Sequence, residues 1–458
     1  AIMTAISNFF NALIWRFLPN PFVIAVFLLI IIIFSAITIT STPLETIIIA
    51  FNGGFWSLLA FTMQLSIVLI TSAVIANSPI FRKPFKWLAS LPKTPLQATF
   101  TVAFITSVVG LINWGVALVV GIIYAKEVAR QVKGTHYPLL IAASYIGFTI
   151  WSSGLSSSIP LILNTSGNPL ENIVGIIPLT ETIFTQYNLI ITLSLLFTYA
   201  FISRFMMPKS GRIIETPEDI SNTDDTHQST NDSHHSTQES SLASLNNSPA
   251  EKLEKSRIIS TTAALFALIS FAYTMGTKGI DALNLNSINM LTLGIGLLLY
   301  PGVKGYLEAA TASVKSVAPL IILYPFYGAA QTIIGSSGLG EELTLLFANI
   351  ATKETLPLVT YLSAGVLNLF VPAAGGQIII QGPIFLPLAK ELAVPEGLVA
   401  MAITYGDTWT NLLQPFWALP ALGLAGLGVR DIMGYCVIAL IVSGFVTGLL
   451  LTVLPLIL

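Results

Sequence analysis

The sequence predicts an all-α polytopic membrane protein with two inverted repeats, each containing a re-entrant helical hairpin and a broken transmembrane helix. Three observations lead to this prediction: an apolar composition, two pairs of apolar limbs around polar tips, and three sequence matches at nearly one offset. Of the 458 residues, 54% are hydrophobic and only 9% are charged. Soluble proteins carry about 25% charged residues, so the main solvent of this chain is a lipid bilayer.

Apolar stretches recur from end to end, and their length of roughly 17–25 residues suits a hydrocarbon core about 30 Å thick. The start of the chain differs, because its large apolar side chains recur at helical spacing. They are Phe9, Phe10, Leu13, Ile14, Phe17 and Leu18. This pattern is typical of a helix that lies in the membrane interface. We expect an interfacial segment at 1–20, followed by the first membrane repeat at 21–208.

Two regions consist of short apolar limbs joined by polar tips. Residues 98–130 surround a tip at 110–115, and residues 356–389 surround a tip at 368–377. Short limbs joined by Gly, Pro and Asn predict re-entrant hairpins. Lys and Arg residues flank the first hairpin on both sides, which places both of its ends in the cytoplasm by the positive-inside rule. A count of the spans that follow predicts that the second hairpin opens from the opposite face of the membrane.

A polar segment separates the two halves. Residues 215–248 contain seven acidic residues and no Lys or Arg. Such a composition cannot bury a core, so we expect a disordered cytoplasmic linker at 209–257, on the same side as the N-terminus. Its histidines could bind a metal, but a solvated linker is the favoured interpretation. One connecting span at 258–275 then inverts the second membrane repeat, at 287–458.

Three matches between the halves indicate a duplication. Gly110-Leu-Ile-Asn113 matches Gly365-Val-Leu-Asn368, and the segment that starts at Ser57 aligns with the one that starts at Ser316. The third match pairs Tyr145 and Trp151 with Tyr405 and Trp409. All three fall at an offset of about 255–260 residues, which one chance match would not produce. Inverted repeats with paired broken helices indicate secondary transport.

Each hairpin is followed by an apolar segment that a polar run interrupts, at 151–158 and at 405–415. Unpaired backbone costs several kcal/mol per group in hydrocarbon, so these runs indicate a cavity or a bound ligand. The alternative is that small residues let helices pack closely. The predicted substrate-binding residues are Asn113, Trp114, Gly115, Ser152, Ser153, Gly154, Ser156, Asn368, Gly375, Gly376, Gln377, Thr410, Asn411 and Gln414. Apolar walls could come from Trp114, Trp151, Trp409 and Phe416, each of which could equally be core.

Asp407 is the one clear acidic residue near the centre of a predicted span. Because an ionised carboxylate at that depth is costly, it is a functional candidate by default. With Thr408 it could bind a coupling cation, H+ or Na+, and the alternative is a carboxylate that caps the helix break. Neither tip and neither break contains Lys or Arg. This absence favours a monovalent anion with a small apolar tail over a substrate with two or three carboxylates.

Other classes of function find less support. The single cysteine, Cys436, excludes an intramolecular disulfide. We find no acid pair, Ser–His–Asp set or metal cluster at membrane depth, so we expect no enzyme activity and no cofactor. We also expect no nucleic-acid partner. A cation/proton antiporter that uses Asp407, or a transporter of another small organic anion, remains an alternative.

Several motifs resemble one family. They are Asn113-Trp-Gly115, the stretch 137–147, Gly167-Asn-Pro169, Asn368-Leu-Phe-Val-Pro372, Gln381-Gly-Pro383, Gly406-Asp407, Gln414-Pro-Phe-Trp417 and the stretch 429–435. They look like the bacterial short-chain fatty acid transporter family (AtoE-type), over nearly the whole chain apart from the linker. The resemblance implies symport of acetoacetate-like or butyrate-like monocarboxylates across the cell inner (cytoplasmic) membrane.

The family resembles the ion-transporter superfamily, which implies a homodimer and an elevator-type transporter architecture. In an elevator, a transport part made of the hairpins and broken helices moves against a fixed scaffold. Members of the superfamily carry Ser-Asn-Thr motifs at both hairpin tips. This chain instead has Asn113-Trp-Gly115 and Asn368 with Gly375-Gly-Gln377. The number and type of coupling ions therefore stay open.

Overall fold

The protein, described here by a computed structural model, is helical throughout the residues that the structure describes: 2–78, 80, 82–166, 168, 170–208, 213–215, 249–282 and 284–457. Within these ranges, eight helical segments are long and apolar enough to cross a membrane. A ninth would be the pair Asn286–Leu299 and Gly302–Ser313, which are bent by 120°. The prediction of an all-α polytopic membrane protein is confirmed for the described residues.

The described part of the first half of the chain contains eleven α-helices. They are α1 (Ile2–Phe17), α2 (Pro21–Thr38), α3 (Leu44–Phe55), α4 (Leu59–Asn77), α5 (Arg82–Ala89), α6 (Pro95–Ile112), α7 (Trp114–Gln131), α8 (Tyr137–Phe148), α9 (Ser158–Leu163), α10 (Glu171–Val174) and α11 (Gln186–Phe205). A 3₁₀ turn, Thr149–Ser153, lies between α8 and α9. We call α6 and α7 the first hairpin, and α8, this turn and α9 the first broken span.

The described part of the second half also contains eleven helices. They are α12 (Pro249–Glu254), α13 (Arg257–Lys278), α14 (Leu285–Leu299), α15 (Gly302–Ser313), α16 (Ala318–Ser336), α17 (Leu339–Ala348), α18 (Leu356–Asn368), α19 (Ala374–Glu391), α20 (Glu396–Trp409), α21 (Ala418–Ala425) and α22 (Val429–Ile457). A 3₁₀ turn, Thr410–Leu412, follows α20. We call α18 and α19 the second hairpin, and α20, this turn and α21 the second broken span.

The limbs of the first hairpin are longer than the sequence suggested. Both α6 and α7 have 18 residues, and α6 is long and apolar enough to cross a membrane. Thr94 accounts for the earlier start, because its side chain caps α6 by accepting a hydrogen bond from the Gln97 amide. The limbs of the second hairpin have 13 and 18 residues. Limb length alone therefore does not decide that these hairpins are re-entrant.

The broken spans lie at the centre of the fold. In the most apolar 18-residue stretch of the first broken span, 89% of the residues are buried, against 22% in α2 and 17% in the segment Pro249–Lys278. Helices such as α2 and α13 therefore expose most of their apolar surface to the bilayer. A span that is buried on all sides can carry polar residues, because protein groups rather than lipid surround them.

Helix α1 packs along α22. Phe10, Ile14 and Leu18 contact the buried core, whereas Phe9 and Phe17 are exposed. Gly434 of α22 has no room for a Cβ, because Asn11 of α1 lies against it. The helix therefore has one apolar face on the protein and one that is free, which agrees with the amphipathic pattern of the sequence.

Six helices were not anticipated: α3, α5, α10, α12, α15 and α17. Within the range predicted as a disordered linker, Pro249–Glu254 forms a helix, so the prediction is wrong there. One reason is local, since Lys255 forms an ion pair with Glu251 at 2.6 Å, one turn earlier. Residues 213–215 pair with the segment 134–137 through contacts such as Tyr137 N to Ile214 O at 2.7 Å. The rest of the predicted linker, 209–212 and 216–248, lies outside the described residues.

Candidate functional site

The tip of the first hairpin is organised by Asn113. Its Oδ1 accepts hydrogen bonds from the amides of Gly115 at 2.9 Å and Val116 at 3.1 Å, so it caps the start of α7. The amide of Trp114 donates to Ser156 Oγ at 2.9 Å. Three predicted site residues of the hairpin therefore define its turn, and one of them binds the first broken span.

The break of the first broken span fits against the same hairpin. The amide of Leu155 donates to the carbonyl of Leu111 at 2.8 Å. Gly154 lies so close to Leu111 that there is no room for a Cβ. Ser152 and Ser153 are buried in the 3₁₀ turn, and Ser153 Oγ is a buried atom with no hydrogen-bond partner among the described residues. Gly154 is thus a packing residue, whereas the hydroxyl of Ser153 could bind a ligand.

At the second hairpin, Asn368 connects the tip to the second break. Its Nδ2 donates to Thr410 Oγ1 at 3.0 Å and to Asn411 Oδ1 at 2.8 Å. Thr410 Oγ1 in turn donates to the carbonyl of Gly365 at 2.8 Å. Close packing of Gly406 on Tyr361, where no Cβ would fit, brings α18 and α20 together. Asn113 thus caps its own hairpin through Oδ1, and Asn368 bonds across to the broken span.

The two broken spans are joined by matched tyrosines. The hydroxyl of Tyr145 in α8 donates to the carbonyl of Asn411 in the second break at 2.7 Å. The hydroxyl of Tyr405 in α20 donates to Asn188 Oδ1 at 2.6 Å. Asn188 Nδ2 then donates to the carbonyl of Ser153 in the first break at 3.1 Å. Each tyrosine thus reaches the break of the other span, directly in one case and through one amide in the other.

Trp417 lies between the two hairpin tips. Its indole Nε1 donates to the carbonyl of Pro372 at the second tip, at 3.1 Å. Its ring lies edge-on to that of Trp114 at the first tip, with 5.3 Å between centroids. The first tip and the second tip, far apart in sequence, are therefore brought together at one tryptophan.

An aromatic cluster continues from Trp417 toward α4 and α16. Phe416 stacks on Tyr324 with centroids 4.3 Å apart, and Tyr324 donates from its hydroxyl to the carbonyl of Phe416 at 2.9 Å. Phe61 lies 5.7 Å from Trp417. On the other side, Trp114 lies 6.3 Å from Trp151. We call Phe61, Tyr324, Phe416 and Trp417 the aromatic cluster.

Asp407 is buried near the end of α20, with 2% of its surface exposed. Its Oδ1 has no hydrogen-bond partner among the described residues. Thr408 beside it directs its hydroxyl back to the carbonyl of Thr404 at 3.1 Å. In the structure Asp407 thus lacks the hydrogen bonds to backbone amides that a capping role requires, and Thr408 is engaged within its own helix.

Further polar atoms near the two breaks are buried without a partner among the described residues. Five of them can donate: Trp151 Nε1, Ser153 Oγ, Ser157 Oγ, Asn411 Nδ2 and Gln414 Nε2. Gln414 uses its other atom, Oε1, to accept from the amide of Phe416 at 2.7 Å. Buried polar atoms normally have partners, so a cluster of unpaired donors at the breaks indicates where an acceptor could bind.

Other predicted site residues make their contacts away from the two breaks. Gln377 Nε2 donates at 2.7 Å to the carbonyl of Ala364, inside the second hairpin. Among the described residues, a Cβ added at Gly375 would contact only Ile162, at 4.0 Å. A Cβ added at Gly376 would lie 3.3 Å from Gln331 Nε2 of α16. Trp409 packs outward, donating from its indole to the carbonyl of Leu440 in α22 at 2.8 Å.

Sequence reasoning missed two connecting residues: Asn188 and Trp417. Asn188 is an amide in the first turn of the apolar helix α11, and that polar residue was the available signal. Trp417 was noticed only as part of a family motif. As for metals, no group of three or more His, Cys, Asp or Glu side chains is placed to hold an ion within the part of the chain that the structure describes.

A helical bundle with eight or nine candidate spans, whose most buried spans are broken around unpaired polar groups, has the organisation of a membrane transport protein. The family model described as short chain fatty acid transporter matches residues 2–454. The chain therefore belongs to the short-chain fatty acid transporter family, which confirms the resemblance seen in the motifs.

Two relatives extend over nearly the whole chain. A candidate short-chain fatty acid transporter of Escherichia coli is 39% identical over 448 residues, 97% of this chain and 99% of its own length. One of Haemophilus influenzae is 38% identical over 458 residues, 98% of this chain and 99% of its own.

Two solved structures are more distantly similar. The Neisseria gonorrhoeae antimetabolite efflux pump MtrF is 16% identical with a TM-score of 0.40, covering 97% of both chains. The Alcanivorax borkumensis transporter YdaH is 16% identical with a TM-score of 0.45, covering 95% of this chain and 97% of its own.

Proposed function

We propose that this protein is a secondary active transporter that moves short-chain fatty acids, monocarboxylates such as acetoacetate or butyrate, across the bacterial cytoplasmic membrane. The observation that carries the proposal is the set of unpaired donors at the two breaks, Asn411 Nδ2 and Gln414 Nε2 among them. A carboxylate is an acceptor with about four lone-pair sites. Aromatic surfaces at Trp114 and Trp417 would contact a short apolar tail.

The absence of fixed positive charge at the tips and breaks supports a monocarboxylate over an anion with two or three carboxylates. The tips and breaks contain no Lys or Arg, so the negative charge would be balanced by neutral N–H and O–H donors. Such donors hold one carboxylate well, but a second or third buried charge without a fixed cation would be costly. Membership of the family supports the same class of substrate.

Coupling would involve Asp407, together with Thr408. Inward movement of a monoanion against an inside-negative potential costs roughly 2.3 kcal/mol per 100 mV, and one co-transported H+ or Na+ cancels that electrical cost. Asp407 is buried and its Oδ1 lacks a partner. A proton or a bound cation on this carboxylate would offset the cost of burying its charge.

The proposal includes an architecture of two inverted repeats that work as an elevator within a homodimer, with the N-terminus and the central linker in the cytoplasm. The reciprocal contacts of Tyr145 and Tyr405 support the repeats, because matched residues make matched contacts to the opposite break. The elevator and the homodimer follow from the family resemblance. Cross-linking between cysteine pairs placed on α4 and α21 would test relative movement.

The test is reconstitution in liposomes with imposed H+ or Na+ gradients and labelled butyrate or acetoacetate. We expect the labelled acid to accumulate above its equilibrium level when the gradient of the coupling ion points inward. An ionophore that removes the ion gradient should abolish this accumulation. Absence of uptake under every gradient would overturn the substrate class. Gradient-driven pH changes in the absence of any fatty acid would instead favour a cation/proton antiporter, the alternative that a lone buried Asp407 allows.

A further inference from the structure

A cavity apart from the tips and breaks is lined by residues of α4, α7, α16 and α21. Its volume is about 740 Å³. Its lining residues include Ala73, Lys126, Lys315, Leu323, Leu419 and Leu422. We call it the vestibule. Butyrate has six heavy atoms, so the vestibule has ample room for a short-chain acid together with water.

The charge in the vestibule has one sign. Lys126 and Lys315 are the ionisable residues among those that line it, and no acidic residue does so. Lys126 Nζ donates to the carbonyl of Leu424 at 2.6 Å, at the end of α21. Its charge there offsets the partial negative charge of the helix end. Lys315 is exposed, and its charge is available to a ligand.

The walls of the vestibule are apolar. Leu323 comes from α16, Leu419 and Leu422 come from α21, and Val429 begins α22. A lysine beside leucines suits a molecule with one carboxylate and a short hydrocarbon tail, because the charge fixes the head and the tail removes apolar surface from water. A cation of this kind is absent from the tips and breaks.

The vestibule adjoins the aromatic cluster. Leu323 and Leu419 line the vestibule. Tyr324, the neighbour of Leu323 in sequence, stacks at 4.3 Å on Phe416, which lies three residues before Leu419. Trp417 of the same cluster contacts both hairpin tips. The cluster therefore has neighbours in sequence on the vestibule wall and contacts both hairpin tips.

We propose that the vestibule is a second binding site for the transported monocarboxylate, with Lys315 as the cation that holds its carboxylate and the leucines as the surface for its tail. This inference rests on the proposed function. The vestibule would attract the anion by a fixed positive charge, and the candidate functional site at the tips and breaks would bind it through neutral donors. One site would perform both tasks poorly, because a fixed cation among the tips and breaks would slow release of the anion.

The test compares Lys315→Gln with Lys278→Gln, which removes another exposed lysine at the end of α13. In proteoliposomes we expect Lys315→Gln to raise the KM for butyrate roughly two- to fivefold, the effect of one exposed charge pair. The maximal rate should stay unchanged, and high salt should reduce the difference between the variant and the wild type. An unchanged KM in Lys315→Gln, or an equal change in Lys278→Gln, would overturn the proposal.

A second measurement does not depend on transport. An Ala312→Cys variant places a thiol in the lining of the vestibule, while the native Cys436 is buried. We expect an anionic thiosulfonate to label this cysteine faster than it labels the Ala312→Cys/Lys315→Gln variant, and butyrate to slow the labelling. Protection by phosphatidylglycerol vesicles without protection by butyrate would assign the site to a lipid headgroup and overturn the proposal.

The two readouts separate the two claims. If the wild type transports no fatty acid, the proposed function fails whatever the labelling shows. If the wild type transports butyrate but neither the KM nor the labelling responds to Lys315→Gln, the vestibule proposal fails and the proposed function stands.

Discussion

The hydroxyl of Tyr145 lies 2.7 Å from the carbonyl oxygen of Asn411, and this hydrogen bond joins the two broken spans at the centre of the protein. Tyr405 makes the counterpart contact through Asn188 to the carbonyl of Ser153. A side chain from the other half reaches each break, directly from Tyr145 and through Asn188 from Tyr405. We therefore expect the two breaks to move together.

Removal of this hydrogen bond should destabilise the protein and slow transport. Tyr145→Phe leaves the Asn411 carbonyl without its tyrosine donor, at a cost of about 1–3 kcal/mol for a buried group. The melting temperature in detergent should fall, and the initial rate of butyrate uptake should fall with it. Tyr273→Phe is the control, since Tyr273 is 72% exposed. Equal melting temperatures for both variants would contradict the role assigned to Tyr145.

Asp407→Asn should abolish concentrative uptake while leaving exchange of labelled for unlabelled butyrate intact. The amide has nearly the same shape, but it neither takes up a proton nor balances the charge of a cation. The measurement compares gradient-driven accumulation with counterflow in the same liposomes. Glu45→Gln, the same chemical change on an exposed carboxylate, should behave as the wild type. Full accumulation by Asp407→Asn would remove this residue from the coupling step.

Gly154→Ala should impair folding rather than binding. A Cβ at this position would collide with Leu111 of the first hairpin, so the hairpin and the first break would have to separate. We expect less folded protein and a lower melting temperature. Gly53→Ala is a matched control, because no atom lies within 4 Å of the added Cβ. A stable variant with only a raised KM would show instead that Gly154 contacts the substrate.

Trp417→Phe should change the transport rate more than it changes stability. The substitution keeps an aromatic ring between Trp114 and Phe61 but removes the indole donor to the Pro372 carbonyl. One contact between the hairpin tips is then lost, and we expect a shift in maximal uptake rate. Trp87→Phe, at an indole that is 68% exposed, should leave the rate unchanged. Identical kinetics in both variants would show that the tip contact has no part in transport.

The contact between residues 213–215 and the start of α8 should depend on pH. His136 Nδ1 accepts from the amide of Ile214 at 3.2 Å, and burial lowers the pKa of His136 to about 4 from its ordinary value near 6.5. The unfolded segment therefore binds a proton first, so the stability of the contact is complete above about pH 6.5 and is lost as the pH falls toward 4.

Hydrogen exchange at Ile214, corrected for the intrinsic rate at each pH, measures this loss. His136→Asn is the control, because its amide oxygen can replace Nδ1 as an acceptor and does not titrate. Protection that is lost at low pH in the wild type but retained in His136→Asn supports the assignment. The same pH dependence in both proteins would contradict it.

The sequence by itself indicated that the chain lies in a lipid bilayer, that it is helical and which family it belongs to. It also indicated the two pairs of hairpin and broken span. These features depend on composition and on local patterns, such as Gly, Pro and Asn within apolar stretches. The polar runs at 151–158 and 405–415 were visible without coordinates for the same reason. Helices α3, α5, α10, α12, α15 and α17 were not, because short helices beside longer spans leave little compositional signal.

Only the tertiary structure decided what each polar residue does. Asn113 and Asn368 occupy matched positions in the sequence, and the structure shows that Asn113 Oδ1 caps α7 and that Asn368 Nδ2 bonds to Thr410 and Asn411. Gly154 packs against Leu111, and Gln377 is directed into the second hairpin. The physical reason is that a hydrogen bond requires a partner within about 3 Å, and such partners come from distant segments, 266 residues apart in the contact between Tyr145 and Asn411.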